Sequence, residues 1–315
     1  MNTEIANAVN AAGDKAQYDD RAKRVLAQKS ILAHILVRTV DEFKEMNPMD
    51  VVKYIEGEPQ VGIIPIEPGL TNADKKDVSG QRIIGINSEN AEINEGLIRF
   101  DIIFYVRMKD GLSQIIVNVE CQKDEPTGYN LLNRAIFYVS RLVSSQKERD
   151  FVNTNYDDIK KVFSIWICMN MNYNILSHIH LTKDEMLMPY GWKGNIDLLN
   201  IVLIGITDDI PEHEEKYEMH RLIGTILSNQ LDMQEKLEII EKEYNIPIDD
   251  QLREDVKVMC NLSTGIEERA VEKTSEKIIL NMYKKGYTLE QIADISEISI
   301  DKVKAIIQKK ESVMA

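Results

Sequence analysis

Two apolar runs flank the dipeptide Asp110-Gly111: FDIIFYVRM, Phe100–Met108, and SQIIVNVECQ, Ser113–Gln122. No other stretch constrains the fold as tightly. Asp-Gly favours a two-residue type I′ turn, so the runs are predicted to form an antiparallel hairpin. With those residues as the turn, Lys109 faces Leu112 and the numbers of every facing pair sum to 221. Asp101 then stands opposite Glu120. Facing residues have Cβ atoms roughly 5 Å apart. Two carboxylates that close repel unless positive charge lies between them, and a divalent metal is the simplest source.

Alternation divides the hairpin into two faces. Phe100, Ile102, Phe104, Val106, Ile115, Val117 and Val119 form an apolar face that must enter a core. The other face carries Asp101, Ile103, Tyr105, Ile116, Asn118, Glu120 and Gln122, with the polar groups gathered at one end. A one-residue slip would put Asp101 and Glu120 on opposite faces, so the metal reading depends on the turn. The alternative is an ordinary hairpin whose polar face meets solvent.

Hydrophobic residues make up 43% of the 315-residue chain and charged residues 29%, a globular composition with room for a sizeable core and an appendage. No apolar run approaches the ~18 residues of a membrane span. The first residues, MNTEIANAVNAAGDKAQ, lack the basic and apolar regions of a secretory leader. Cys121, Cys168 and Cys260 show no metal-ligand spacing, and the first two fall in apolar runs as expected of buried thiols. A cytoplasmic location is therefore expected. The net charge of −14 disfavours nucleic acid at first sight. Residues 208–255, however, hold 15 acidic and 5 basic residues, so most of the excess lies in one stretch.

Spacing predicts an amphipathic helix over 19–46, with Val25, Leu32, Ile35, Leu36, Val40, Phe43 and Met46 on one face. Pro48 opens a shorter helical stretch, MDVVKYIEGE. Residues 59–96 read as an irregular excursion with short extended pieces. A helix is expected over 130–147. KVFSIWICM, Lys161–Met169, and LLNIVLIGI, Leu198–Ile206, read as interior strands covered on both sides. The fold class is α/β (α+β), with a mixed sheet flanked by helices. Helices follow over 212–229, 231–244 and 249–261, then a charged helix from Gly265 to about Gly286. In YTLEQIADISEISIDKVKAIIQKK, Thr288 and Gln291 suit a capping box. Leu289, Ile292, Ile295, Ile298, Val303 and Ile306 are placed to pack two short helices together. That unit reads either as the core of a helix-turn-helix or as a helical hairpin for self-association.

An Asp at the start of one strand, Glu-x-Gln at the end of the next and a following polar helix make up the PD-(D/E)XK nuclease layout. The chain resembles the Rpn-like recombination-promoting nucleases, the PD-(D/E)XK nuclease family transposases. The segments that carry the resemblance are Tyr18–Leu36, Ile55–Gly62, Glu95–Ile102, Asn118–Gln122, Asn133–Gln146 and Tyr156–Asn170. It implies a restriction-endonuclease-like core over 18–206; the residues beyond it read, from charge and spacing, as an acidic helical region over 207–264 and a helix-turn-helix-like tail over 265–315. It also implies metal-dependent cleavage of DNA, associated with recombination or mobile elements.

Site roles follow from the same resemblance. Asp101 and Glu120 would hold Mg2+ or Mn2+, and the Cys121 carbonyl would add an oxygen. Gln122 stands where the superfamily usually has Lys, although some members carry Gln. An amide orients water by hydrogen bonds but holds no charge. Glu56 or Glu58 would supply the additional acid that many members take from an early helix; otherwise they are a solvated helix end. Arg134, Tyr138 and Arg141, at spacings of four and three, share a helix face that would meet the phosphate backbone. His178 and His180 would point the same way on a strand and suit either a metal or an incidental pair. Trp166 and Trp192 read as packing residues. The competing readings are a catalytically degenerate nuclease fold that binds DNA or regulates, and a scaffold whose C-terminal helices form a homo-oligomer.

Overall fold

The computed structural model describes residues 3–66, 75–76, 82–83, 98–107, 114–122, 130–147, 150–151 and 153–314. Helix α1 (Thr3–Leu26) is followed by α2 (Lys29–Thr39), where the spacing predicts a single helix. The break falls at Gln28, which is extended at φ −63° and ψ 131°. It allows Val25 and Leu26, and also Ile31, Leu32, Ile35 and Leu36, to be excluded from solvent. Helix α3 (Pro48–Val51) starts on proline, and the Asn47 side chain accepts from the Met49 amide. The helical stretch expected through Glu58 stops early, and strand β1 (Ile55–Ile66) begins instead. Gly57 adopts a left-handed φ of 57°, and Pro59 has no amide proton; neither suits a helix interior.

The main sheet has six strands: β1, β4 (Ile98–Arg107), β5 (Gln114–Gln122), β6 (Lys161–Cys168), β8 (Leu199–Gly205) and β7 (Ile175–His180), in that spatial order. The two-residue strands β2 (Lys75–Lys76) and β3 (Arg82–Ile83) pair separately. β1, β4 and β5 run antiparallel, β5, β6 and β8 run parallel, and β7 returns antiparallel to β8. The sheet is therefore mixed, as expected. Strands β6 and β8 are interior and almost wholly buried, which explains their unbroken apolar runs. Helix α4 (Leu131–Ser144) forms the crossover between β5 and β6. It buries Leu131, Ala135, Val139 and Leu142 against Ile103, Tyr105, Val162, Trp166 and Ile201. Ile102, Phe104 and Val106, of opposite parity on β4, are buried too, so the strand is covered on both faces. The alternative of a solvent-facing hairpin is overturned for β4.

Helices α5 (Glu218–Leu227), α6 (Met233–Lys242) and α7 (Asp250–Lys284) follow. α7 runs unbroken through Gly265, where the sequence reading divides two helices. One interior glycine costs only about 1 kcal/mol against alanine, too little to end a long helix. By compactness the chain divides into Asp20–Lys257, which holds the sheet, and a second unit of Met1–Asp19 with Val258–Ala315. In the second unit, α8 (Leu289–Ser296) opens on a capping box between Thr288 and Gln291. The turn into α9 (Ile300–Met314) passes through Glu297 in the left-handed region. Ile279, Ile292, Val303 and Ile307 form the core, with Leu289, Ile298 and Ile306 packed around it. Ile295, expected in that core, is 60% exposed. Among the described residues, no helix is long and apolar enough to cross a membrane.

Candidate active site

The site grows from the β4–β5 ladder. The observed pairs run from Arg107–Gln114 to Ile102–Val119. This is the register that the Asp110-Gly111 turn predicts, although the turn itself lies outside the described residues. One step beyond the last pair are Asp101 on β4 and Glu120 on β5. Ile103 and Tyr105, of Asp101's parity, join the core beneath α4. The site positions therefore belong to the α4 side of the sheet. In the parallel pairing of β5 with β6, Glu120 neighbours Trp166, Cys121 neighbours Ile167 and Gln122 neighbours Cys168. The side chains of Glu120, Cys121 and Gln122 lie outside the described residues.

Asp101 has a partner that the spacing does not reveal. The Lys23 ammonium lies 2.5 Å from its Oδ1, and the two side chains are 24% and 23% exposed. Lys23 is held there by its helix: Ala22, Val25 and Leu26 are buried, leaving Lys23 at the rim of that seam. A contact between an early helix and the middle of the chain carries no sequence periodicity. The only available signal is a lysine flanked by buried positions on an amphipathic helix.

The additional acids are placed differently from expectation. Glu56 and Glu58 lie on β1, an edge strand, not on a helix. Glu56 pairs in register with Tyr105, four residues along β4 from Asp101. At about 3.4 Å per residue that is roughly 14 Å, too far to share one ion. Its carboxylate takes two bonds from Arg107, the Nε one at 3.0 Å. Glu58 is 84% exposed and pairs with Lys29 at 3.1 Å.

Helix α4 brings Arg134 and Tyr138 together. Arg134 Nη2 donates to the Tyr138 hydroxyl at 3.0 Å, and its guanidinium lies 5.2 Å from the centre of the Trp166 ring. Tyr138 meets Trp166 edge-on at 5.5 Å. Arg134, Tyr138 and Arg141 are half-buried along the α4 seam. Arg134 thus sits over the sheet row to which Glu120 belongs. The outer side of α4 instead carries the exposed Leu132, Ile136 and Phe137.

The remaining candidates separate cleanly. His178 and His180 do point the same way on β7, their rings stacked at 4.9 Å. His178 Nε2 lies 2.8 Å from Asn200 Oδ1 and its ring stacks on Phe163, so packing and a hydrogen bond account for it. Trp166 is fully buried and donates to Ser164 Oγ. Trp192, read as a packing residue, is 76% exposed. Cys168 is a buried free thiol, as expected.

Among the described residues, no group of three or more His, Cys, Asp or Glu could hold a metal. Mg2+ does not demand such a cage. It is commonly bound by one or two carboxylates and keeps water and substrate phosphate oxygens as its other ligands. Asp101 and Glu120 stand at the ladder step next to Ile102–Val119. Comparison of the chain with models of known families, with curated proteins and with solved structures returns no match.

Proposed function

We propose that the chain is a metal-dependent endonuclease of the PD-(D/E)XK type, hydrolysing phosphodiester bonds in DNA in the service of recombination or a mobile element. The observation that carries the reading is the β4–β5 register, which leaves Asp101 and Glu120 as the next facing positions. The mixed sheet, with a helical crossover between β5 and β6, suits a restriction-endonuclease-like core. Asp101 and Glu120 would hold Mg2+ or Mn2+, with the Cys121 carbonyl as a further oxygen. Such an ion, when bound, acidifies water and offsets phosphate charge. The Gln122 amide would orient the attacking water by hydrogen bonds. Arg134, braced by Tyr138 and Trp166, would offer a fixed guanidinium to the DNA backbone, and Arg141 lies about two turns further along the same seam. The C-terminal helices would serve DNA contact or homo-oligomer formation.

Conversion of supercoiled plasmid with Mg2+ or Mn2+ tests this. Nicked or linear product is expected from the wild type and none from Asp101→Ala or Glu120→Ala. A wild type inert with both metals, or mutants that cut equally well, would remove the nuclease reading. One observation favours a second reading, a catalytically silent DNA-binding protein: Asp101 is already neutralised by Lys23. Salt-dependent DNA binding by an inert wild type would decide for it.

A further inference from the structure

We propose that Lys23 supplies the ammonium that Gln122 does not, meeting the charge of the scissile phosphate; this rests on the nuclease reading. Three observations lead to it. Lys23 Nζ stands 2.5 Å from Asp101 Oδ1, with both side chains about three-quarters buried. Its helix is pinned by Ala22, Val25 and Leu26, so the ammonium is delivered from a fixed base. Among the described side chains, cations on α1, α2 and β4 are matched to carboxylates other than Asp101: Arg21 to Asp255, Arg24 to Asp20, Lys29 to Glu58 and Arg107 to Glu56.

The charge count then assigns the role. Without metal, the ammonium balances Asp101. A divalent ion, when bound, would match the charge of the two carboxylates, and the ammonium would be left to balance one further negative charge. The scissile phosphodiester brings one. The flexible four-carbon stem of lysine allows the short move from carboxylate to phosphate oxygen. In the step itself, the water oxygen bonds to phosphorus and the bond from phosphorus to the leaving sugar oxygen breaks. One water proton passes to solvent, and the leaving oxygen takes one up. Lys23 keeps its protons and donates a hydrogen bond to a non-bridging oxygen, strongest as charge builds there.

The test compares wild type, Lys23→Met, and Lys23→Met combined with Gln122→Lys, using plasmid cleavage in Mg2+ and short-duplex binding in Ca2+ across a salt series. Lys23→Met is expected to slow cleavage about 100-fold, as loss of one donor to a developing oxyanion does. It should also reduce the salt slope of duplex binding by about 0.9, one phosphate contact. Adding Gln122→Lys should restore most of both, because it returns the ammonium from the neighbouring strand. A purely structural Lys23 would give no such rescue. An active wild type with unaffected Lys23→Met, or a double variant that recovers neither readout, overturns this inference alone. A wild type inert with Mg2+ and Mn2+ overturns the nuclease reading and this inference with it.

Discussion

At the scale of single residues, Gln146 ties the helix over the sheet to the strand beneath it. It is fully buried; its Nε2 donates to the Lys160 carbonyl at 2.9 Å, and its Oε1 accepts from the Lys160 amide at 2.7 Å. This clasp fastens the end of α4 to the start of β6, the strand that carries Trp166 beneath Arg134. Gln146→Leu would strand two backbone groups, each worth roughly 1–3 kcal/mol when left unsatisfied. A loss of about 3 kcal/mol is expected in urea unfolding. Lys236 has a similar structural office: 1% exposed, it donates to the carbonyls of Ile226 and Ser228 at the end of α5. Asp101 was legible in the sequence because strand alternation and one turn determine where it points. Lys23 was not, because only tertiary packing brings it to Asp101.

Among the elements, those with strong local signals are legible in the sequence. The α8 capping box is a four-residue pattern, and β6 and β8 are continuous apolar runs of strand length. Failures came where two local signals competed. MDVVKYIEGE has helical spacing, but Gly57 and Pro59 sit within reach of a sheet edge, and β1 wins. Glu56 and Glu58 lie on a strand, not a helix, for that reason. Ile295 has the right spacing to be buried, yet α8 is only eight residues long and turns its Ile292 side inward. The small unit therefore leans on few contacts. Ile292→Ala should cost about 2–5 kcal/mol. In hydrogen exchange, the amides of α8 and α9 are expected to lose protection while β6 keeps its own. Equal loss in both would mean that the tail does not unfold as a local unit.

At the scale of the whole molecule, two buried histidines couple stability to pH. Burial lowers the pKa of His34 and of His220. His220 Nε2 donates to the Ile175 carbonyl at 2.9 Å, and Nδ1 has no partner to receive a proton's charge. The unfolded chain therefore binds more protons than the folded one below about pH 6.5. Their stability contribution is complete above that pH and declines as pH falls toward the lowered folded values. Glu243, whose pKa Arg221 lowers by hydrogen bonding, adds a separate loss at more acidic pH. Thermal unfolding between pH 7.5 and 5.5 should show a falling midpoint, and a flat profile would contradict this. The mixed α/β character is legible because β4 and β5 alternate and β6 and β8 are unbroken apolar runs of strand length, whereas α7 passes Gly265 without the break that a glycine suggests. The central claim, that Asp101 and Glu120 share one ion, is tested most directly by calorimetric titration with Mn2+. One ion per wild-type chain is predicted, with binding lost in Asp101→Asn and in Glu120→Gln alike. Equal affinity in all three proteins would contradict the claim.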